Sequence, residues 1–177
     1  ISLLEITTSE GLDSGTRLFF DQGKLTLQED FSRSRGTTIS VSNLFLNLPV
    51  RQKFLKSNEV ESNQIWQTFL AIALSFQNVS FRYFEDERLI CTASATDSKV
   101  DRIAQVFDFY LAKDLIPFEH VEEDFSVSGF TSNLQLTRYN KNQMYLFINN
   151  RSFRDSKITN AICNGYNQAL PAQRFPV

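Results

Sequence analysis

The residues with the clearest capacity for chemistry are basic, and they lie close together toward the C-terminal end of the chain. Positions 138 to 157 hold one acid, Asp155, and five basic residues, namely Arg138, Lys141, Arg151, Arg154 and Lys157. Tyr and Phe side chains are interleaved with them. Arg and Lys neutralise phosphates and release counterions without reading base identity, so this segment could bind nucleic acid. The alternative is a solvated face whose aromatic side chains point into the core.

Two other segments are strongly charged. A shorter basic segment contains Arg51, Lys53 and Lys56, and the segment from Asp114 to Asp124 has five acids and neither Lys nor Arg. The acids have no turn glycine among them and do not follow the spacing of a calcium loop. The acidic segment therefore predicts a solubilising loop, with recruitment of a protein partner as the alternative.

Residues for catalysis or metal binding are sparse in this sequence. A Ser-His-Asp triad or a His-rich metal site would have to be built around the single histidine, His120, which lies in the charged segment. Neither a P-loop nor a GxGxxG pattern occurs, and Gly36-Thr37-Thr38 by itself predicts only the start of a strand. We therefore expect no catalytic residue and no metal site.

The composition is that of a folded domain. The chain has 177 residues, of which 42% are hydrophobic and 21% charged, with a net charge of −2. These totals exclude a wholly basic nucleic-acid binder and a disordered tail. Cys91 and Cys163 lie in apolar runs and predict small buried side chains in a reducing compartment rather than a disulfide. No window approaches the ~20 apolar residues needed to span a membrane, and we expect both ends to lie inside a longer protein.

The elements that must position these residues follow from the hydrophobic pattern. In the first half, positions 1 to 8 and 36 to 42 predict strands, the second half-buried, and Asp21-Gln22-Gly23 predicts the turn of a hairpin between residues 16 and 28. A helix is predicted from Asn58 to Phe76, with Asn58 as N-cap and Glu61 as its partner in a capping box. Its apolar face consists of Ile65, Trp66, Phe69, Leu70, Ile72, Ala73 and Phe76.

In the second half, strands and helices are again predicted. A hairpin is predicted around the turn at residues 85 to 87, followed by a short helix from Val100 to Phe107 that one of residues 96 to 98 caps. Further strands are predicted at 125–131, 134–138 and 143–148, and Asp155 is predicted to cap a last helix. The pattern indicates an α+β fold of two α/β units, 1–77 and 78–177, with a boundary near Gln77.

Several segments in order resemble the MutL family of DNA mismatch-repair ATPases. The longest is Gly36-Thr-Thr-Ile-Ser-Val-Ser-Asn-Leu-Phe-Leu-Asn-Leu-Pro-Val-Arg-Gln-Lys-Phe-Leu-Lys56, which is similar to the family pattern GT-x-V-x-V-x-x-LF-x-N-x-P-x-R-x-KFL. The segments 101–107, 127–130 and 147–155 resemble a family helix, strand and strand-loop. Asn150 stands where many members have Gly, but Asn tolerates left-handed backbone well. Val50 and Gln52 replace a frequent Ala and Arg, and Gln52 weakens any phosphate-binding role for that loop.

The resemblance implies a fold and a cofactor. Residues 1–77 would be the C-terminal part of a Bergerat-type (GHKL) ATPase domain, and residues 78–177 most of a ribosomal-protein-like β-α-β transducer domain. Of the family's nucleotide contacts only Thr37 would remain, because the others would precede Ile1 or follow Val177. We therefore expect ATP and Mg²⁺ to bind the longer parent protein, and this stretch alone to hydrolyse no ATP.

The resemblance also implies partners. The transducer loop that faces DNA in the family maps onto Arg151 and Arg154, which favours DNA over a merely solvated face. In the parent protein, a mismatch-recognition protein and a second MutL-type subunit would be partners, in the bacterial cytoplasm or a eukaryotic nucleus and not in a membrane. Two alternatives stay open, an arm of a related ATPase such as a type II topoisomerase B subunit, and a protein-interaction module that uses the acidic segment.

Overall fold

A computed structural model describes residues 2–11, 14–166 and 169–177. Its strands and helices confirm the expected α+β class. The chain divides into two compact units, Ile1–Glu61 and Ser62–Val177. The boundary predicted from the sequence lies near Gln77 instead. The structural division falls earlier because the long helix that begins at Asn58 packs its aromatic side chains within the second unit.

The first unit is built on a four-stranded antiparallel sheet in the order β3-β2-β1-β4. Its strands are β1 (Leu3–Ser9), β2 (Gly15–Asp21), β3 (Lys24–Phe31) and β4 (Gly36–Ser42). The predicted hairpin is confirmed, since Gln22 and Gly23 between β2 and β3 both have positive φ, 51° and 86°. Both residues of a two-residue hairpin turn of type I′ need that conformation. A short helix, α1 (Pro49–Lys53), follows the sheet.

The two faces of this sheet differ in polarity. The register places Ile6 beside Leu18 and Ile39 on one face. On the other face Glu5 accepts a hydrogen bond from Arg17 at 2.7 Å, and Arg33 donates to Thr7 Oγ1 at 2.6 Å. The first unit does not cover its own apolar face, because Ile39 is 63% exposed. The prediction of a half-buried strand at 36–42 was therefore wrong about burial, although the strand bounds are correct.

The core of the second unit forms around helix α2 (Asn58–Ser75). Leu70 and Ala73 are buried there, with Trp66 and Phe69 half-buried beside them. The predicted apolar face was too wide, since Ile65, Ile72 and Phe76 are exposed. The capping prediction was shifted by one residue. Ser57 rather than Asn58 precedes the helix and its carbonyl accepts from Val60 and Glu61, while the Glu61 carboxylate accepts from the Lys56 amide at 3.0 Å.

A hairpin and two short helices complete the core. Strands β5 (Phe81–Glu85) and β6 (Arg88–Ala93) confirm the second predicted hairpin, and Phe81 and Tyr83 contact the α2 aromatic rings. Helix α3 (Lys99–Val106) follows, and of the three predicted cap candidates Ser98 is the N-cap, since its hydroxyl accepts from the Asp101 amide at 3.1 Å. Helix α4 (Phe109–Lys113) comes next.

Arg102 of α3 is a charged side chain inside this core, with 1% of its surface exposed. Its Nη2 atom donates to the carbonyl oxygens of Gln77, Val79 and Ser94 at 2.7–3.0 Å. The guanidinium lies over the Phe81 ring, 5.5 Å from the centroid. It therefore joins the end of α2, the entry to β5 and the exit from β6. Burial lowers the pKa of Arg102 from its usual range.

The segment after α4 corrects two predictions. The acidic segment is mostly a strand rather than a loop, because β7 (Leu115–Val121) pairs with β8 (Ser126–Ser132) along its whole length. His120 lies in β7 and pairs with Glu122 at 3.0 Å. The strand predicted at 134–138 is reduced to a single bridge between Arg138 and Phe175.

The remaining elements are β9 (Leu146–Ile148), β10 (Arg151–Phe153) and α5 (Ser156–Gly165). The strand predicted at 143–148 is thus shorter than expected. Both cysteines are free, as predicted, but they are half-buried rather than buried. Among the described residues, no helix has the length and apolar character needed to cross a membrane.

Leu70 provides a test of this core. Leu70→Ala should lower the free energy of unfolding by about 2–5 kcal/mol, because it empties a site where 2% of the side chain is exposed. Ile65→Ala, on the same helix but 55% exposed, is the matched control and should cost far less. Urea unfolding followed by the fluorescence of Trp66, the single tryptophan, measures both. Equal losses would contradict the burial of Leu70 in this core.

Arg102 provides a second test. Arg102→Ala removes the donor shared by three carbonyl groups, so we expect a loss of about 3–5 kcal/mol in unfolding free energy. Arg82→Ala, an exposed arginine on β5, should stay within about 0.5 kcal/mol of the parent. Denaturant unfolding followed by circular dichroism makes the comparison. A loss for Arg102→Ala as small as that of the control would show that the carbonyl groups find other partners.

Candidate nucleic-acid interface

A tight turn presents Arg151 at the surface. Strands β9 and β10 pair antiparallel, with Arg151 opposite Ile148, and Asn149 and Asn150 form the turn between them. Both Asn residues have positive φ, 49° and 63°. Asn adopts this backbone more readily than most residues, so the turn forms without glycine. The turn leaves Arg151 exposed at the start of β10.

The single acid of the basic segment is engaged with the backbone. Asp155 is the N-cap of α5, and its Oδ1 atom accepts from the Ile158 amide at 2.9 Å. The prediction of this cap is confirmed. The carboxylate thus satisfies the free N–H groups of the helix and faces its positive end. Arg154 and Lys157 lie on either side of Asp155 in sequence, and both are exposed.

Arg138 and Lys141 have a different role from the other three bases. The Arg138 Nε atom donates to Gln143 Oε1 at 2.6 Å, and Arg138 is half-buried. Lys141 donates to Asn160 Oδ1 at 2.8 Å and lies 5.2 Å from the centroid of the Phe175 ring. These contacts hold the loop after β8 against α5 and the C-terminal segment. Both side chains therefore have a structural role, and their predicted DNA contact stays a prediction.

The exposed bases keep their charge available. In the part of the chain that the structure describes, the ion pairs involve Arg17, with Glu5 and Glu29, and His120, with Glu122. Arg151, Arg154 and Lys157 thus have no carboxylate partner among the described residues. A surface with three unpaired cations attracts polyanions, and salt screens that attraction.

Tyr145 connects the basic segment to the core of the second unit. Its hydroxyl donates to Gln67 Oε1 on α2 at 2.6 Å, and its ring packs on Phe107 at 5.7 Å between centroids. Burial raises the pKa of Tyr145 to about 12, while the positive charge of Arg154 acts in the opposite direction. The hairpin that carries Arg151 is therefore tied to the core through Tyr145, which directly precedes β9.

Arg174 was not among the predicted site residues, because it lies outside the basic segment in sequence. In the structure Phe175 forms two backbone hydrogen bonds of 2.8 Å with Arg138, which brings the neighbouring Arg174 onto Tyr139. The guanidinium carbon of Arg174 is 3.5 Å from the centroid of the Tyr139 ring. No sequence signal indicated this pairing, because it depends on a contact between segments more than thirty positions apart.

Thr37 lies in the first unit, at the start of β4. Its hydroxyl is 2.7 Å from the hydroxyl of Thr8, its neighbour across the β1–β4 pair. Gly36 precedes it with a φ of 137°, in a conformation that favours glycine. An open depression surrounds these groups and is lined by Thr8, Ser9, Glu10, Arg35, Gly36 and Thr37. Thr8 is a polar group of this site that the sequence analysis did not select.

These residues do not by themselves fit ATP with its metal ion. The depression is lined by hydroxyl side chains, the Arg35 guanidinium and the Glu10 carboxylate, and a carboxylate repels a phosphate. Among the described residues there is no group of three His, Cys, Asp or Glu side chains that could hold a metal ion. Thr37 and Thr8 could at most contact part of a nucleotide that other residues hold.

Comparisons with known sequences agree on one family. The family model for the C-terminal domain of DNA mismatch repair proteins matches residues 103–177. The DNA mismatch repair protein MutL of Bacillus cereus is 33% identical over all 177 residues, which cover 27% of that protein. MutL of Bacillus anthracis is also 33% identical over the whole chain, with 28% of its length covered. The chain thus spans little more than a quarter of these relatives.

Solved structures share the fold. A crystal structure of the N-terminal domain of a DNA repair protein matches the whole chain with a TM-score of 0.82 at 24% identity, over 59% of its own length. The ATPase domain of Aquifex aeolicus MutL in complex with ADP matches 89% of the chain with a TM-score of 0.73 at 23% identity, over 61% of its own length. At such identities the likeness concerns the fold alone.

The pKa of Tyr145 gives a test of the support beneath the basic surface. The folded pKa of about 12 exceeds the value of about 10 in an unfolded chain, so the folded state holds the phenolic proton more tightly. The free energy of unfolding should therefore fall as the pH rises from about 10 through about 12. In Tyr145→Phe this part of the fall should be missing.

Arg154→Gln completes that test. Removing the positive charge should raise the pKa of Tyr145 further and extend the fall to higher pH. Denaturant unfolding at a series of pH values, followed by circular dichroism, measures all three proteins. Tyr83, whose pKa burial also raises, is present in each and cancels in the comparison. An unchanged pH dependence in Tyr145→Phe would contradict the burial of this phenol.

Proposed function

Since the chain belongs to the MutL family of DNA mismatch-repair proteins, we propose that Arg151, Arg154 and Lys157 form a weak DNA-binding surface that does not read sequence. The observation that carries the proposal is that all three are exposed and lack carboxylate partners in the described part of the chain. Cations of this kind bind phosphate by releasing condensed counterions.

The local geometry favours phosphate contacts by side chains rather than by the helix. Asp155 occupies the N-terminus of α5 and accepts from the amide that an anion would otherwise bind. The attraction must therefore come from the guanidinium and ammonium groups around it. Contacts of this type position a protein on DNA without specifying sequence.

The hairpin that carries Arg151 is too small to read bases. Its strands have three residues each and its turn has two, Asn149 and Asn150. Direct readout requires a helix or a longer ribbon that enters the major groove and presents several side chains to base edges. This hairpin can reach phosphates at the rim of a groove, which supports binding without sequence preference.

In the whole protein, DNA binding by this surface would be coupled to ATP binding. We infer that the parent protein binds ATP and Mg²⁺, with Thr37 as one nucleotide contact, and that ATP binding closes two such arms around DNA. A mismatch-recognition protein and a second MutL-type subunit would be its partners. Such a role places the protein beside chromosomal DNA, in a bacterial cytoplasm or a eukaryotic nucleus.

Charge reversal tests the DNA surface. The 177-residue chain without substitutions, the parent of the variants below, should bind duplex DNA with a Kd of about 10⁻⁴–10⁻⁶ M, and its affinity should fall steeply as salt rises. The double variant Arg151→Glu, Arg154→Glu should bind no duplex at low salt, because two phosphate contacts become repulsive. Fluorescence anisotropy with a labelled duplex at several salt concentrations measures both. Each lost contact should lower the logarithmic salt slope by roughly one.

Arg82→Glu is the control for this experiment. Arg82 is exposed but lies on β5, outside the basic segment, so its reversal should change affinity much less. Arg17 is unsuitable because it pairs with Glu5 and Glu29. The thermal stability of the double variant should remain close to that of the parent, since exposed charges contribute little to folding. Binding of the double variant as tight as that of the parent would refute the proposal.

A further inference from the structure

Tyr139 and Arg174 form an exposed pair of stacked groups. The guanidinium carbon of Arg174 lies 3.5 Å from the centroid of the Tyr139 ring, the distance of two groups in direct contact. Even with this cover, Tyr139 is 77% exposed. One face of the phenol therefore rests on a cation, and the other face is open to solvent. An exposed aromatic ring in this position has no part in the core.

The backbone fixes both members of the pair. The Arg138–Phe175 bridge aligns the two segments antiparallel, which places residues 139 and 174 side by side. The Arg174 amide also donates to the carbonyl of Pro171 at 3.1 Å, which closes a turn just before it. The pair is thus pre-organised, so a ligand would not have to order it.

A hydrogen bond links the loop that carries Tyr139 to the helix that carries Lys157. Lys141, two residues after Tyr139 and so at most about 7 Å away along the chain, donates to Asn160 of α5 at 2.8 Å. Asn160 lies three residues after Lys157, and residues with that spacing are neighbours on one face of a helix. The Tyr139 loop is therefore held against the helix face that carries Lys157.

We propose that Tyr139, backed by Arg174, stacks on an unpaired base of a DNA strand whose phosphates contact Lys157 and Arg154. This inference rests on the proposed function and names the substrate class of the same surface, single-stranded DNA or a strand with an unpaired base. Aromatic rings and guanidinium planes are the groups on which proteins stack unpaired bases. The positive charge of Arg174 on one face of the Tyr139 ring attracts a polyanion. Among the described residues, Arg174 has no carboxylate partner.

Tyr139 cannot stack on a base of a fully paired duplex. In a duplex each base face is covered by its neighbours, so a tyrosine could reach one only after unstacking. Such unstacking costs a few kcal/mol. A strand that is already unpaired exposes its base faces. Tyr139 should therefore add affinity for single strands alone, while Arg151, Arg154 and Lys157 act on both forms of DNA.

Two substitutions of Tyr139 separate stacking from other effects. The probes are an oligothymidylate strand of about 16 nucleotides, the upper site size of one single-strand binding domain, and a duplex of the same length. Tyr139→Leu should lower affinity for the single strand by about 5- to 150-fold, the range measured for one stacked base, and leave duplex affinity unchanged. Tyr139→Phe keeps the ring and should bind as the parent does.

The salt dependence distinguishes stacking from charge. Tyr139→Leu loses no phosphate contact, so its salt slope should equal that of the parent, whereas Lys157→Gln should lower the slope by roughly one on both probes. Circular dichroism checks that each variant is folded. The inference is overturned by single-strand binding of Tyr139→Leu equal to that of the parent, by an equal loss on both probes, or by no single-strand binding of the parent.

The experiments distinguish a failure of this inference from a failure of the proposed function. If charge reversal at Arg151 and Arg154 abolishes duplex binding while Tyr139→Leu has no effect, the stacking inference alone is wrong. If the double reversal leaves duplex binding intact, the proposed surface is wrong. A loss limited to the single strand in Tyr139→Leu, with rescue by Tyr139→Phe, supports the stacking site.

Discussion

The buried guanidinium of Arg102 is the contact on which the second unit depends. One nitrogen atom donates to carbonyl groups of Gln77, Val79 and Ser94, so that three chain segments meet at a single side chain. Two other nitrogen atoms, Nε and Nη1, are buried without a hydrogen-bond partner among the described residues. A buried charge with unsatisfied donors is costly. The Gln77 carbonyl also accepts from the Thr96 amide at 2.9 Å, so the guanidinium matters most as the donor to the carbonyl groups of Val79 and Ser94.

The basic surface inherits its geometry from that core. Helix α2 is fixed by Leu70 and Ala73, and its Gln67 accepts a hydrogen bond from Tyr145, 78 positions later in the chain. Tyr145 immediately precedes β9, so the hairpin that presents Arg151 is anchored to α2. Rigid support of this kind lowers the entropy lost on binding. The binding surface is thus an extension of the packing around α2 rather than a free loop.

Arginine serves three purposes in this chain, and exposure separates them. Arg102 holds backbone segments in the core, whereas Arg17 and Arg138 bond to neighbouring side chains at half-buried positions. Arg151 and Arg154 remain exposed and free of carboxylates in the described part of the chain. Guanidinium groups suit all three purposes because they are planar, permanently charged and rich in donors. The count of basic residues in a segment therefore does not give the number available to a ligand.

The sequence by itself determined several turns and helix caps, and the family. Turn residues such as Gln22-Gly23, the caps Ser98 and Asp155, and the long Gly36–Lys56 pattern act through neighbours in sequence, so their signals can be read along the chain. Only the tertiary structure decided burial and partnership. It showed that Ile39 is exposed, that Arg138 and Lys141 are engaged within the protein, that residues 115–121 form a strand, and that Arg174 stacks on Tyr139. Each of these depends on which distant segment lies opposite, and hydrophobic periodicity carries no record of that partner.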